Sequence, residues 1–157
     1  MADRPGPPEL PDPRHPESDH PDPDPSDRPD GHAAPARILV MEDDPSVRSL
    51  LDTLLESEGY EVVTASDGLA GLRQASAHRP ALVLLDVMMP DLDGMQVLHE
   101  LRADPALVDV PVIAVTGQVE AVGQLATVLG DASVFVKPFG VAELLARVAV
   151  LTEKANP

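Results

Sequence analysis

"LVLLDVMMPDLDG", residues 82–94, runs straight from hydrophobic core into charge. Leu82 to Leu85 form an unbroken apolar segment, the pattern of a strand covered on both faces. Asp86 closes that segment, Met88, Met89 and Pro90 follow, and Asp-Leu-Asp-Gly then supplies a turn signal. A strand of this kind belongs to a parallel sheet flanked by helices, so its neighbours in sequence should alternate between helix and strand.

Upstream, "RILVM" (37–41) and "YEVVTA" (60–65) read as strands. Between them, "PSVRSLLDTLLESEG" (45–59) places Val47, Leu50, Leu51, Leu54 and Leu55 at helical spacing, with Pro45 at its start and Gly59 at its stop. "DGLAGLRQASAHR" (67–79) reads as a helix opened by an acid, and "ALVLLD" (81–86) is the next strand. Downstream, the pattern predicts a helix over 94–104, a strand over 110–117, a helix over 119–130, a strand over 132–137 and a closing helix over 141–154. Five strand–helix repeats with right-handed crossovers predict an α/β fold. It should be a doubly wound, five-stranded parallel sheet with helices on both faces.

Residues 1–36 have a different texture. They hold 11 of the 18 prolines and nine acids against three arginines, and Met1 and Leu10 are the only large apolar side chains. Such a segment buries too little surface to offset its ordering entropy, so a disordered, Pro/Asp-rich acidic tail is expected there. One folded domain is expected over 37–154. His15, His20 and His32 are irregularly spaced and read as bystanders rather than metal ligands.

The bulk composition narrows the function. The 157 residues suffice for one domain with a real core, and 43% hydrophobic against 2% aromatic residues means that aliphatic side chains must build it. With no cysteine there is neither a disulfide frame nor a thiolate metal site, which fits a reducing compartment. A formal charge of −16 argues against nonspecific binding to nucleic acid. No apolar run has the length of a membrane span and no signal-peptide pattern opens the chain, so a cytoplasmic protein is expected.

In a parallel sheet every strand ends on the same edge, where ligands bind. Past the first strand come Glu42, Asp43 and Asp44; past the third, Asp86; past the fourth, Thr116; past the fifth, Lys137. The second strand ends in Thr-Ala-Ser, with no ionisable group before Asp67. That distribution suits the strand order 2-1-3-4-5, which sets the four polar tips side by side. Clustered carboxylates repel unless a cation is present, and hard oxygen donors suit Mg²⁺, which readily shares its shell with a phosphoryl group. A lysine and a threonine could each contact a phosphoryl oxygen, and an aspartate could act as nucleophile.

Together, "LVMEDDPSVR", "LVLLDVMMPDLDG", "VIAVTG" and "FVKPF" resemble the receiver domain of two-component response regulators, a CheY-like domain of the flavodoxin type. The order is acidic pair, aspartate, threonine, Lys-Pro, and Asp43, Asp86, Thr116 and Lys137 are separated by 43, 30 and 21 residues. The resemblance implies that Asp86 is phosphorylated by a sensor histidine kinase or a histidine phosphotransfer protein. It implies that Asp43 binds Mg²⁺ directly, Glu42 largely through water, and Asp86 and the Met88 carbonyl as further ligands. Lys137 would contact the phosphoryl group, Thr116 would turn towards it, and Lys137–Pro138 would be a cis peptide. It further implies a regulator rather than an enzyme, signalling to a downstream protein through the face formed by its fourth helix, fifth strand and fifth helix. That face could also form a homodimer. Because the sequence stops soon after Lys154, a stand-alone receiver is expected.

Each residue also has a plainer reading. Asp86 could cap a turn, Thr116 could be structural, and Lys137 could be a solvated lysine; it is their register that favours a site. Asp44 reads as the N-cap before Pro45, and Asp91 and Asp93 as turn and N-cap residues. His78 and His99 read as helix-surface residues. "DLDGM" (91–95) resembles the start of haloacid-dehalogenase-like phosphatases, but there the acids follow a buried strand directly and here they lie beyond Met-Met-Pro. No Walker loop is present. A pseudo-receiver that binds partners without being phosphorylated is the alternative within the interaction class. Two departures from the receiver pattern stand out. Val134 occupies the position three before the lysine, where most receivers carry an aromatic ring, and the threonine-to-lysine interval is about one residue short. The fourth helix, with one charge, should leave Val119, Val122 or nearby groups partly exposed.

Overall fold

The computed structural model describes residues 35–155. The expected N-terminal tail, apart from its last two residues, lies outside the described residues, as do its three histidines. The elements run β1 (Arg37–Met41), α1 (Pro45–Ser57), β2 (Glu61–Ala65), α2 (Gly68–His78), β3 (Leu82–Asp86), α3 (Gly94–Ala103), β4 (Val112–Thr116), α4 (Val122–Leu129), β5 (Val134–Val136) and α5 (Val141–Ala155). All five strands are parallel, in the order β2-β1-β3-β4-β5. Both the fold class and the strand order match the sequence expectation.

The unbroken apolar strands are explained by alternation. Ile38, Val40, Leu82, Leu84, Ile113 and Val115 face α1 and α5, where Leu51, Leu55, Leu144 and Val148 meet them. Leu39, Met41, Val83 and Leu85 point the other way, towards Ala75 of α2 and Val97, Leu98 and Leu101 of α3. Val87, Ala114 and Leu125 extend this second face beneath α4. Among the described residues, no helix is long and apolar enough to cross a membrane.

Two elements depart from expectation. The helix predicted over 119–130 begins as a 3-10 turn, Val119–Ala121, and only then becomes α4, because Gln118 provides no side-chain cap. The strand predicted over 132–137 is shortened to three residues by a second 3-10 turn, Asp131–Ser133, whose buried Ser133 hydroxyl accepts from Arg147 of α5. Helix α2 stops at Arg79, which takes a left-handed φ of 45° before Pro80.

Candidate functional site

The site grows from the carboxyl edge of the sheet. Glu42 directly follows β1, and its N–H still bonds the Ala65 carbonyl at 3.0 Å, so its side chain is held in the sheet's register and is 1% exposed. Asp43 is exposed beside it. Asp44 is drawn out of the cluster, since its side chain accepts from the Ser46 and Val47 N–H groups and caps α1. Arg48, in the first turns of α1, reaches back and donates through Nη1 to the carbonyls of Glu42 at 2.9 Å and Asp43 at 3.3 Å. The turn that carries both acids is thereby tied to the helix it opens.

At the tip of β3 the Asp86 carboxylate is buried, with Oδ1 accepting from the Met88 N–H at 3.0 Å. Met88 turns its side chain outward and Met89 buries its own in the core shared with α2 and α3. The loop then closes on itself: the Gly94 N–H donates to the Val87 carbonyl at 3.0 Å. A Cβ at Gly94 would fall 2.6 Å from Val87 Cα, so only glycine fits there. Asp93 caps α3 in a reciprocal pair with Gln96. The Asp91 carboxylate bonds outside its own loop. Its Oδ1 accepts from the Gly68 N–H at 2.9 Å and its Oδ2 from the Leu69 N–H at 3.0 Å, at the N-terminus of α2. Those bonds hold its carboxyl at a pKa of about 2.

Thr116 ends β4 fully buried, and its hydroxyl accepts from the Gln118 N–H at 3.0 Å. Lys137 follows β5; its N–H bonds the Thr116 carbonyl at 2.8 Å, and the peptide to Pro138 is cis. From there its Nζ lies 3.1 Å from Glu42 Oε2 and 3.4 Å from Asp86 Oδ2.

Glu42, Asp43 and Asp86 thus each present an oxygen within 4.8 Å of the others. Three carboxylates face one ammonium group. Burial, and then the adjacent Asp86, push the Glu42 carboxyl up to about 7 against the pull of Lys137. Desolvation lowers the Lys137 pKa, but the Glu42 and Asp86 carboxyls outweigh it and hold Lys137 above its ordinary value. A cluster of hard oxygen donors with unmatched negative charge is the donor set that Mg²⁺ takes. It is reachable from solvent, because Asp43, Met88 and Gln118 line one open recess.

The profile of the response regulator receiver domain family matches residues 38–149. The chain belongs to this family. Among curated relatives, the receiver is 38% identical over 125 residues to the DNA-binding dual master transcriptional regulator RpaA of a Synechocystis species, covering 76% of this chain and 50% of that one. It is 39% identical over 124 residues to the response regulator MprA of a Mycobacterium species, covering 78% and 53%. The chain spans about half the length of these relatives. Among solved structures, the response regulator protein TrrA from Thermotoga maritima, in complex with Mg(2+)-BeF, superposes with a TM-score of 0.67 at 34% identity, covering 74% of this chain and 98% of that one. The receiver domain of the Francisella response regulator 1452 gives 0.69 at 28% identity, covering 77% and 99%.

Within the receiver, the acids of the phosphatase-like "DLDGM" segment are both committed to helix N-termini, Asp91 at α2 and Asp93 at α3. The short threonine-to-lysine interval coincides with the 3-10 entry to α4. Val134 packs against the Val87–Ala114–Leu125 group, while Phe135, one residue on, packs on the opposite face with α1 and α5. By strand alternation, that neighbouring ring cannot take the place of an aromatic side chain at position 134. The part played by Arg48 and the long reach of Asp91 are not legible in the sequence alone. A basic residue five positions after Asp43 was the one available hint for Arg48, and no local pattern pointed from Asp91 to Gly68.

Proposed function

We propose that this receiver accepts a phosphoryl group on Asp86 from a phosphohistidine of a sensor kinase or phosphotransfer protein, with Mg²⁺ held by Glu42, Asp43, Asp86 and the Met88 carbonyl. The observation that carries it is the convergence of Glu42, Asp43 and Asp86, with Lys137 Nζ against two of them, at one sheet edge. A carboxylate oxygen of Asp86 attacks the phosphorus. The P–O bond forms as the P–N bond breaks, and the electron pair returns to the imidazole nitrogen of the donor. Bound Mg²⁺ would supply charge neutralisation for the carboxylates and the incoming phosphoryl oxygens. Lys137 pairs with phosphoryl charge in place of part of its present contact to Asp86, and the Thr116 hydroxyl, now bonded to Gln118, is the neutral donor beside it.

Acting as a regulator rather than an enzyme, in a cytoplasmic setting, the receiver would pass the signal through protein contacts. Val119, Val128 and Val136, exposed on and around α4 and β5, supply apolar surface for a downstream protein or a second copy. The expectation of a stand-alone receiver gains no support from the relatives, which are about twice as long and include transcriptional regulators.

The test is incubation with a small phosphodonor, with and without Mg²⁺, of the wild type and Asp86→Asn. Mg²⁺-dependent labelling of the wild type alone is expected; equal labelling of both removes the assignment. Mg²⁺ binding with no labelling of the wild type would favour the phosphorylation-independent interaction module instead.

A further inference from the structure

Helix α2 starts in an unusual way. Its first three N–H groups have no partner inside the helix, and two carboxylates share them. Asp67, the residue before the helix, takes only the Ala70 N–H, at 2.7 Å. The Gly68 and Leu69 N–H groups are taken by the two oxygens of Asp91, a residue 23 and 22 positions further along the chain. The approach is close. A Cβ at Gly68 would fall 2.8 Å from Leu92 Cβ and 3.1 Å from a Val97 methyl, so the segment next to Asp91 rests directly on the helix.

Asp91 lies in the loop that Asp86 opens. The Asp86 end is tied by the Met88 N–H, the far end by Gly94 against Val87, and the inner side by buried Met89. The Asp91 fork joins the loop's outer segment to a different element, with charge-assisted bonds to a helix end whose dipole favours an anion. We propose that Asp91 is a positioning residue: its grip on α2 holds the loop, and with it the Met88 backbone, over the Glu42–Asp43–Asp86 cluster. This rests on the reading of that cluster as a Mg²⁺ site. The arrangement is reciprocal, since a cation that fixes the loop must also tighten the two amides that hold it.

The test uses the full chain and Mg²⁺ alone. Amide hydrogen exchange is followed by NMR, and Mg²⁺ affinity by calorimetry, well below the unfolding midpoint. In the wild type, Mg²⁺ should slow exchange at Gly68 and Leu69. Asp91→Ala should abolish that slowing and weaken Mg²⁺ binding about tenfold, the scale of a lost partner behind a metal ligand. Asp91→Asn, with one acceptor oxygen, should fall between, and it serves alone if the alanine variant does not fold. A purely structural Asp91 would lower the midpoint and leave the affinity of the folded protein untouched, which overturns the proposal. Wild type that does not bind Mg²⁺ overturns the reading of the cluster as well, whereas wild-type binding with unaltered variants overturns the positioning role alone.

Discussion

Lys137 Nζ sits 3.1 Å from Glu42 Oε2 and 3.4 Å from Asp86 Oδ2, so a single ammonium group serves two buried carboxyls from the tips of two neighbouring strands. Removing one partner of a fully buried pair costs about 3–5 kcal/mol. Lys137 keeps 29% of its side chain exposed, which lowers the expected loss. Lys137→Met should destabilise the protein by about 1–3 kcal/mol in metal-free buffer. Urea denaturation with a chelator measures it, and an unchanged midpoint would mean that the lysine is merely solvated.

The Asp91 carboxyl, at about 2, lies below its ordinary value of 3.8 because the Gly68 and Leu69 N–H groups favour the charged form. A depressed carboxyl stabilises the fold fully above the unfolded value and loses that contribution as pH falls towards the folded one. Wild type should therefore melt higher than Asp91→Ala at pH 6, and the gap should narrow between about pH 4 and pH 2. Thermal melts across that range decide it; a constant gap would refute the charged fork.

Gly94 has no room for a side chain, because a Cβ there would meet Val87 Cα at 2.6 Å. Gly94→Ala should displace the acceptor loop at a cost of about 1–3 kcal/mol, the usual penalty of overpacking. Far-UV circular dichroism should be unchanged while the denaturation midpoint drops. A variant as stable as wild type would show that the loop yields easily.

Arg79 offers the reverse case. Its left-handed φ of 45° disfavours a side chain by about 1–2 kcal/mol, and glycine recovers that less its own entropy cost of about 0.5–1 kcal/mol. Arg79→Gly, at an exposed position, should be stabilising by about 0.5–1 kcal/mol. A lower midpoint would mean that the arginine side chain contributes more than its backbone costs.

Strands were the most legible part of the molecule. Runs such as Leu82–Leu85, repeated between amphipathic helices, suit a helix-flanked parallel sheet, and the functional polar residues at four of the five strand tips fell on one edge. The caps Asp44 and Asp93 were legible too, because capping is local. What escaped was long-range. Nothing near Asp91 announces Gly68, and Arg48 bonds to backbone carbonyls that carry no sequence signature. The 3-10 entry to α4 escaped for the opposite reason: apolar periodicity continued through a start that no side chain capped.

The sheet also acts as a partition. Met89, just beyond Asp86, is packed on the α2–α3 side, while Phe139, just beyond Lys137, belongs to the α1–α5 side. A rearrangement on the aspartate's side of the rim would press on one half of the molecule, and one on the lysine's side would press on the other. The acidic edge thus borders two helical layers that share one sheet between them.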